Sequence, residues 1–172
     1  MSQAENRRLF RIERATVNDL EGIRNVLAVT WRDTYSSFLS EEAIAKVTDE
    51  WHTPTILSAE IARASTFSGI ALDAGEVVGM ITAHFRAELL VVTRLYVLPG
   101  HQRRGIGQQL LHASYNAFPQ ASRVRLQVEE QNPVGREFYH KLGFGEVGRE
   151  VDDVAGTQLR SIVLERHIPT AA

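Results

Sequence analysis

Hydrophobic positions change their period several times along the chain, and each change marks an element. Leu9–Ala15 (LFRIERA) reads as a first strand. Thr16 then suits the cap of a helix opening near Val17, whose apolar stripe runs through Leu20, Ile23, Val26, Leu27 and Thr30. The segment TWRDTYSSFL leaves that helix. Ser40 ahead of EEAIAKV, with acids in the first turn, predicts a second helix. Thr53-Pro54 supplies a cap and a proline at the first helical position for a third, PTILSAEIARA. The spacing then becomes strand-like. FSGIALD and EVVGMITAHF flank a hairpin turn at Asp73-Ala74-Gly75, and ELLVVTRLYVL follows as a long apolar strand. Helical spacing returns in IGQQLLHASYNAF, where Ile106, Leu110, Leu111 and Tyr115 share a face. SRVRLQVEE is a strand, PVGREFYHKL is a short helix stopped by Gly143, and FGEVGREV and TQLRSIVLE are two last strands around DDVAG.

The resulting order is β-α-α-α-β-β-β-α-β-α-β-β. Its central antiparallel meander excludes a plain doubly wound fold and predicts a single α/β (α+β) domain, a mixed sheet with helices on its faces. Residues 9–168 form that domain, between flexible ends at 1–8 and 169–172. With 172 residues, 44% apolar and 23% charged, the chain can bury one sizeable core. A net charge of -2 gives no global attraction to nucleic acid, so any basic patch is local. The absence of cysteine excludes disulfides, thiolate metal sites and a cysteine nucleophile. The six histidines show no H-E-x-x-H spacing, so no metal is expected. No apolar run has the length of a membrane span, and MSQAENRRLF lacks the apolar core of a signal peptide, which makes a cytoplasmic protein the expectation.

Candidate chemistry concentrates in RLYVLPGHQRRGIGQQLL, from Arg94 to Leu111. Gly105 and Gly107 sit where a strand turns into a helix. The first amides of a helix lack partners and carry the positive end of its dipole, so they make an anion site. Arg103 and Arg104 add charge beside it, and Gln102 and Gln108 add neutral donors. The dinucleotide fingerprint fails, because position 110 is leucine rather than a third glycine, and no Lys-Ser or Lys-Thr completes a P-loop.

This stretch resembles the coenzyme A motif of the GNAT superfamily of N-acetyltransferases, Q/R-x-x-G-x-G/A, after a strand LYVLP. A second block, NPVGREFYHKLGF from Asn132 to Phe144, is similar to that family's N-x-x-A-x-x-F-Y-x-x-x-G-F, with Gly135 where alanine is usual. RIERATVNDLEGI resembles its first strand and helix. The resemblance implies a seven-stranded, mostly antiparallel sheet in which two parallel strands splay into a wedge for acyl-CoA. It implies that backbone groups of Leu95, Tyr96 and Val97 pair with pantetheine, that Gln102, Arg103, Arg104, Gly105, Ile106, Gly107 and Gln108 wrap the pyrophosphate, and that Asn132, Gly135, Phe138 and Tyr139 approach the pantetheine and its sulfur. The implied reaction is direct transfer of acetyl from acetyl-CoA, as co-substrate, to an amine of a small molecule or peptide N-terminus.

Direct transfer makes three demands: a deprotonated amine, a donor for the carbonyl oxygen, and a proton for the departing thiolate. The resemblance assigns the proton to Tyr139, and a backbone amide near Val97 is the oxyanion donor. Positions where relatives carry a glutamate base hold Val91 and Gln127 here. Glu129, on the face of Gln127, and Glu88, opening the other strand, are the remaining carboxylates that could order a water. Both read more simply as solvated rim acids. Trp31 and Tyr35, one helical turn apart, are candidates to line the acceptor groove. Acids near Glu50 and Asp152 offer a weak attraction for a cationic acceptor such as a polyamine. His84 reads as a surface or turn residue, and Arg123 and Arg125 as solvent-facing strand positions. Two alternatives stand beside the enzyme: a non-catalytic acyl-CoA sensor, favoured by the missing glutamates, and a nucleotide-binding protein without acyl chemistry. A homodimer paired through the C-terminal strand is a further expectation.

Overall fold

A computed structural model describes residues 10–169; Leu9 and the two predicted flexible ends, apart from position 169, lie outside the described residues. Seven strands form one sheet in the order β1-β2-β3-β4-β5-β7-β6. They are β1 (Phe10–Arg14), β2 (Thr66–Asp73), β3 (Glu76–Arg86), β4 (Leu89–Val97), β5 (Arg123–Glu129), β6 (Gly145–Val154) and β7 (Thr157–His167). The helices are α1 (Leu20–Tyr35), α2 (Glu41–Trp51), α3 (Pro54–Ala62), α4 (Ile106–Ala117) and α5 (Pro133–Lys141).

The helix starts follow from their caps. Thr16 and Asp19 form a reciprocal box around a short 3₁₀ turn, which delays α1 proper to Leu20. Ser40 accepts from the Ala43 amide at 3.1 Å and Thr53 from the Ile56 amide at 3.1 Å. Two helices run further than their sequence patterns predict. Trp31 and Tyr35 belong to the last turns of α1 rather than to the chain leaving it, and α2 continues to Trp51. Trp51 meets Trp31 edge-on at 6.1 Å between ring centroids, so an aromatic contact extends both helices beyond their aliphatic stripes.

Helices α4 and α5 cover one face of the sheet, where Ile106, Leu110 and Leu111 pack against Val124, Leu126 and Val128. Helices α1 to α3 cover the other, where Val26, Leu27 and Leu57 meet Ile70 and Met80. Each fully buried leucine such as Leu27 or Leu110 contributes roughly 2 kcal/mol. All neighbouring strands are antiparallel except β4 and β5. That parallel pair has only four register partners, from Leu89↔Arg123 to Val92↔Leu126. Beyond them the strands part, each held on its outer side: Val97 stays paired with Gly79 of β3, and Glu129 with Ser161 of β7.

The topology corrects one expectation. The C-terminal strand β7 is paired on both sides, with β5 and β6, so it has no edge to offer a second copy. The strand left at that edge of the sheet is β6.

Candidate active site

The turn joining β4 to α4 is built around unpaired main-chain donors. None of the six amides from Arg103 to Gln108 donates to a protein acceptor among the described residues; the first helical bond is from Gln109 to the Gly105 carbonyl, at 3.1 Å. Arg103 and Gly105 both adopt left-handed backbone, with φ of 62° and 82°. Alternation of this kind gathers amides into a concave nest for an anion. The two glycines have different reasons to be there. A Cβ on Gly105 would meet nothing within 4 Å, so its requirement is the positive φ. A Cβ on Gly107 would lie 3.1 Å from the Phe138 ring, so its requirement is the close contact of α4 with α5.

Side chains around the nest are less free than their sequence suggests. Gln102 Nε2 donates to the Val97 carbonyl at 3.1 Å, which ties the turn to the parted strand. Arg104 pairs with Asp73 at 2.8 Å, while Arg103 and Gln108 are exposed. Ile106 is 1% exposed, a core side chain that offers the nest only its amide. The Leu98 amide bonds Val78 at 2.9 Å. Strand alternation therefore turns the main-chain groups of Val97 and Leu95 into the gap and those of Tyr96 toward β3. Tyr96, expected with Leu95 and Val97 as a backbone partner, has its main chain taken up by β3, and its side chain packs toward α1.

Four polar side chains from four elements close around the parted strands. Tyr35 from α1 packs in one apolar cluster with Tyr96 of β4, and Glu129 of β5 and Tyr139 of α5 lie within electrostatic range of it, as Tyr96 does of Tyr139. Tyr35 and Tyr139 are each 8% exposed, and burial is the main cause of pKa values well above the ordinary phenol range. Both hydroxyls therefore keep their protons at neutral pH. The Tyr139 ring is fixed edge-on between Phe138 and Phe144, at 5.0 and 5.4 Å. Asn132 caps α5, its Oδ1 accepting from the Gly135 amide at 2.9 Å. An alanine at 135 would place its Cβ 2.8 Å from Asn132 Nδ2 and 3.0 Å from Val128, which accounts for glycine at this position.

Glu129 is not the solvated rim acid that its strand-end position suggests. It is 5% exposed, and its Oε2 accepts from the Gln131 amide at 2.6 Å. Burial raises its pKa more than that bond lowers it. Glu88 is in the wrong place for the chemistry. It sits at φ 70° in the exposed turn between β3 and β4, and its carbonyl accepts from Ser122 and Arg123. The length of β4 separates it from Val97, about 30 Å at roughly 3.3 Å per residue.

Trp31 is a core residue rather than an open groove wall. It is 5% exposed, packed on Tyr35 at 4.4 Å between centroids and on His52 at 5.8 Å. Its indole N–H lies near the Tyr96 hydroxyl without an acceptor in hydrogen-bonding geometry. His84 is likewise no surface residue: it is half-buried, with Nδ1 3.0 Å from Thr66 Oγ1 and Nε2 3.8 Å from Glu60, which also pairs with Arg94. Arg123 and Arg125, partly exposed, both pair with Glu165. Beyond Tyr35, a pocket of about 430 Å³ opens between α2 and the β6–β7 turn. Glu42, Glu50 and Asp153 line it with one cation, Lys46, and the Trp51 ring. Two acidic stretches a hundred residues apart in sequence thus meet at one cavity. Sequence reasoning missed Asp73, His52 and the Tyr96 hydroxyl, none of which carries a local motif. Among the described residues no group of three His, Asp or Glu could hold a metal, and no helix is long and apolar enough to cross a membrane.

A sheet that parts after four parallel pairs, with an amide nest at its mouth, defines a coenzyme-A-dependent acyltransferase fold. The family model of the GNAT acetyltransferases matches residues 23–144, and the chain belongs to that family. It is 30% identical over 153 residues, 85% of this chain and 91% of the relative, to the spermidine N(1)-acetyltransferase of Thermoplasma acidophilum. The crystal structure of the PaiA N-acetyltransferase from the same organism, in complex with coenzyme A, superposes with a TM-score of 0.79 at 28% identity, over 92% of this chain and 99% of that one. The ribosomal-protein-S18-alanine N-acetyltransferase of Escherichia coli shares the fold, with a TM-score of 0.69 at 14% identity over 95% and 96% of the two chains. The protein is an N-acetyltransferase that uses acetyl-CoA as co-substrate.

Proposed function

We propose that the protein acetylates a primary amine of a small polycation of the polyamine class, with the thioester delivered through the gap between β4 and β5. The observation that carries this reading is the amide nest from Arg103 to Gln108 beside that gap. The diphosphate sits on the nest, and Leu95 and Val97 offer the pantetheine the main-chain groups that β5 leaves unused, as to an added strand. Asn132 Nδ2, left over from capping α5, and Phe138 flank the same arm. The amine enters from the α1–α2 side, where Tyr35, Tyr96 and Glu129 face the gap. The buried Glu129 carboxylate attracts the ammonium and takes its proton through water. The neutral amine attacks the thioester carbonyl, an amide near Val97 holds the oxygen, Tyr139 gives its proton to the departing thiolate, and the proton that the new amide nitrogen sheds restores Tyr139. The acid-lined pocket beyond Tyr35 suits the remaining charges of a polyamine, and the name of the Thermoplasma relative, a spermidine N(1)-acetyltransferase, supports the same choice.

The test is free-thiol release from acetyl-CoA against spermidine, monoamines and peptides with a free N-terminus. Spermidine should be preferred, and Tyr139→Phe should lower kcat about a hundredfold with little change in either KM. Preference for a peptide N-terminus would move the acceptor assignment. Coenzyme A binding without turnover on any amine would favour a sensor.

A further inference from the structure

We infer that Asp73, at the tip of the β2–β3 hairpin, is a positioning residue for coenzyme A, holding the nest in its binding shape without touching the ligand. The inference rests on the diphosphate occupying that turn. Asp73 Oδ2 accepts from Arg104 at 2.8 Å and lies 3.4 Å from His101 Nε2, so one carboxylate grips the turn on both sides of Gln102 and Arg103. The Asp73 side chain is only 18% exposed and is anchored by register pairs on both sides, with Phe10 of β1 and Glu76 of β3.

The turn needs such an anchor. Six amide dipoles converge on it with two arginines beside them, and Arg103 holds a left-handed φ that is strained for a non-glycine residue. Without a counter-charge the unliganded turn relaxes by letting its amides diverge. Asp73 supplies that charge from outside the concavity. It also engages Arg104, so the two arginines divide their tasks: Arg104 braces the turn, and the exposed Arg103 is free to meet phosphate oxygens.

A double-mutant cycle on Asp73 and Arg104 tests this, read by calorimetric coenzyme A affinity and by turnover with two donors, acetyl-CoA and S-acetyl-pantetheine, which lacks the diphosphate. Asp73→Ala and Arg104→Gln should each weaken coenzyme A about tenfold. The double variant should be no weaker than either single one, because both remove the same contact. kcat/KM with S-acetyl-pantetheine should stay within about twofold of the parent. Unchanged or tighter coenzyme A binding in Asp73→Ala would overturn the inference, as would additive losses in the double variant, which would put Arg104 on the phosphate. An equal loss with both donors would also overturn it, by making Asp73 merely structural. Should Asp73→Ala not fold, Asp73→Asn takes its place in the cycle, since it keeps the size of the side chain and removes only the charge that holds Arg104. Failure of the underlying placement shows separately, as parent-level coenzyme A affinity in Gly105→Glu.

Discussion

Gly105 separates two effects that a substitution in a phosphate turn usually mixes. Its φ is 82° and a Cβ there would meet nothing within 4 Å, so alanine introduces backbone strain and no clash within the protein. That strain is about 1–2 kcal/mol. If the turn keeps its shape, the strain appears as lost stability; if the turn relaxes, it appears as lost affinity. The two losses in Gly105→Ala should therefore sum to about 1.5 kcal/mol, however they divide. Glutamate adds a charge facing a diphosphate that carries about two, worth roughly a further 1–3 kcal/mol at an exposed site, or about five- to 150-fold in affinity. Calorimetry with coenzyme A and thermal unfolding, both repeated at low and high salt, read the two quantities. The gap between Gly105→Glu and Gly105→Ala should narrow as salt rises, because only the charge term is screened. Equal affinities for the two variants at low salt would refute the placement of the diphosphate. So would Gly105→Glu within twofold of the parent.

Glu129→Gln preserves an acceptor for the Gln131 amide and removes only the charge, so it should raise KM for the amine about tenfold while KM for acetyl-CoA stays put. The acidic limb of the pH–rate profile, which Glu129 sets with a pKa that burial raises, should vanish with it; the nearby Tyr35, Tyr96 and Tyr139 remain neutral throughout, and Glu130 is the neighbouring acid that adds to the rise. An unaltered amine KM would count against the role. His52 governs stability instead: burial, with Arg94 and Arg24 nearby, lowers its pKa to about 4 from an ordinary 6.5. A lowered folded value means the unfolded chain binds the proton first, so this contribution is present above pH 6.5 and drains away toward pH 4. Between pH 7 and pH 5 the loss is about 2 kcal/mol. Denaturant titrations should show it in the parent and not in His52→Gln; equal slopes with pH in both would exclude His52 as the cause.

Legibility in the sequence followed the distance over which each feature is encoded. The nest is local: a strand, a Pro-Gly break, two glycines and a helical stripe lie within eighteen residues, and both its place and its anion preference can be read there. Its side-chain details cannot, because Arg104 is claimed by a hairpin thirty-one residues away and Gln102 by the strand behind it. Gly107 shows the same limit. Its spacing from Gly105 points to a phosphate, yet its neighbour is Phe138, from a helix that sequence cannot bring alongside. Trp31 and Glu129 are both more buried than their places in the sequence suggest, and for one reason. Exposure at an element's end depends on what covers it, and the covers here, Trp51 and His52 for one, the α1 terminus for the other, come from elsewhere in the chain.

The parting of β4 from β5 shows how the fold can leave a site open without losing much. Past Val92 and Leu126 each strand keeps its antiparallel partner on the outer side, Gly79 opposite Val97 and Ser161 opposite Glu129, so only inner-edge groups lose a ladder bond. Backbone groups in a covered gap demand partners. One such group, the Val97 carbonyl, is already met by Gln102, and that bond leads directly into the nest. On the proposed reading the other inner-edge groups are met by the amide-bearing pantetheine arm. The same vacancy then serves two ends. It gives the arm a strand's worth of hydrogen bonds, and it fixes the thioester at the depth where Tyr139 from one face and Glu129 with Tyr35 from the other converge. Neither could be reached across an unbroken sheet.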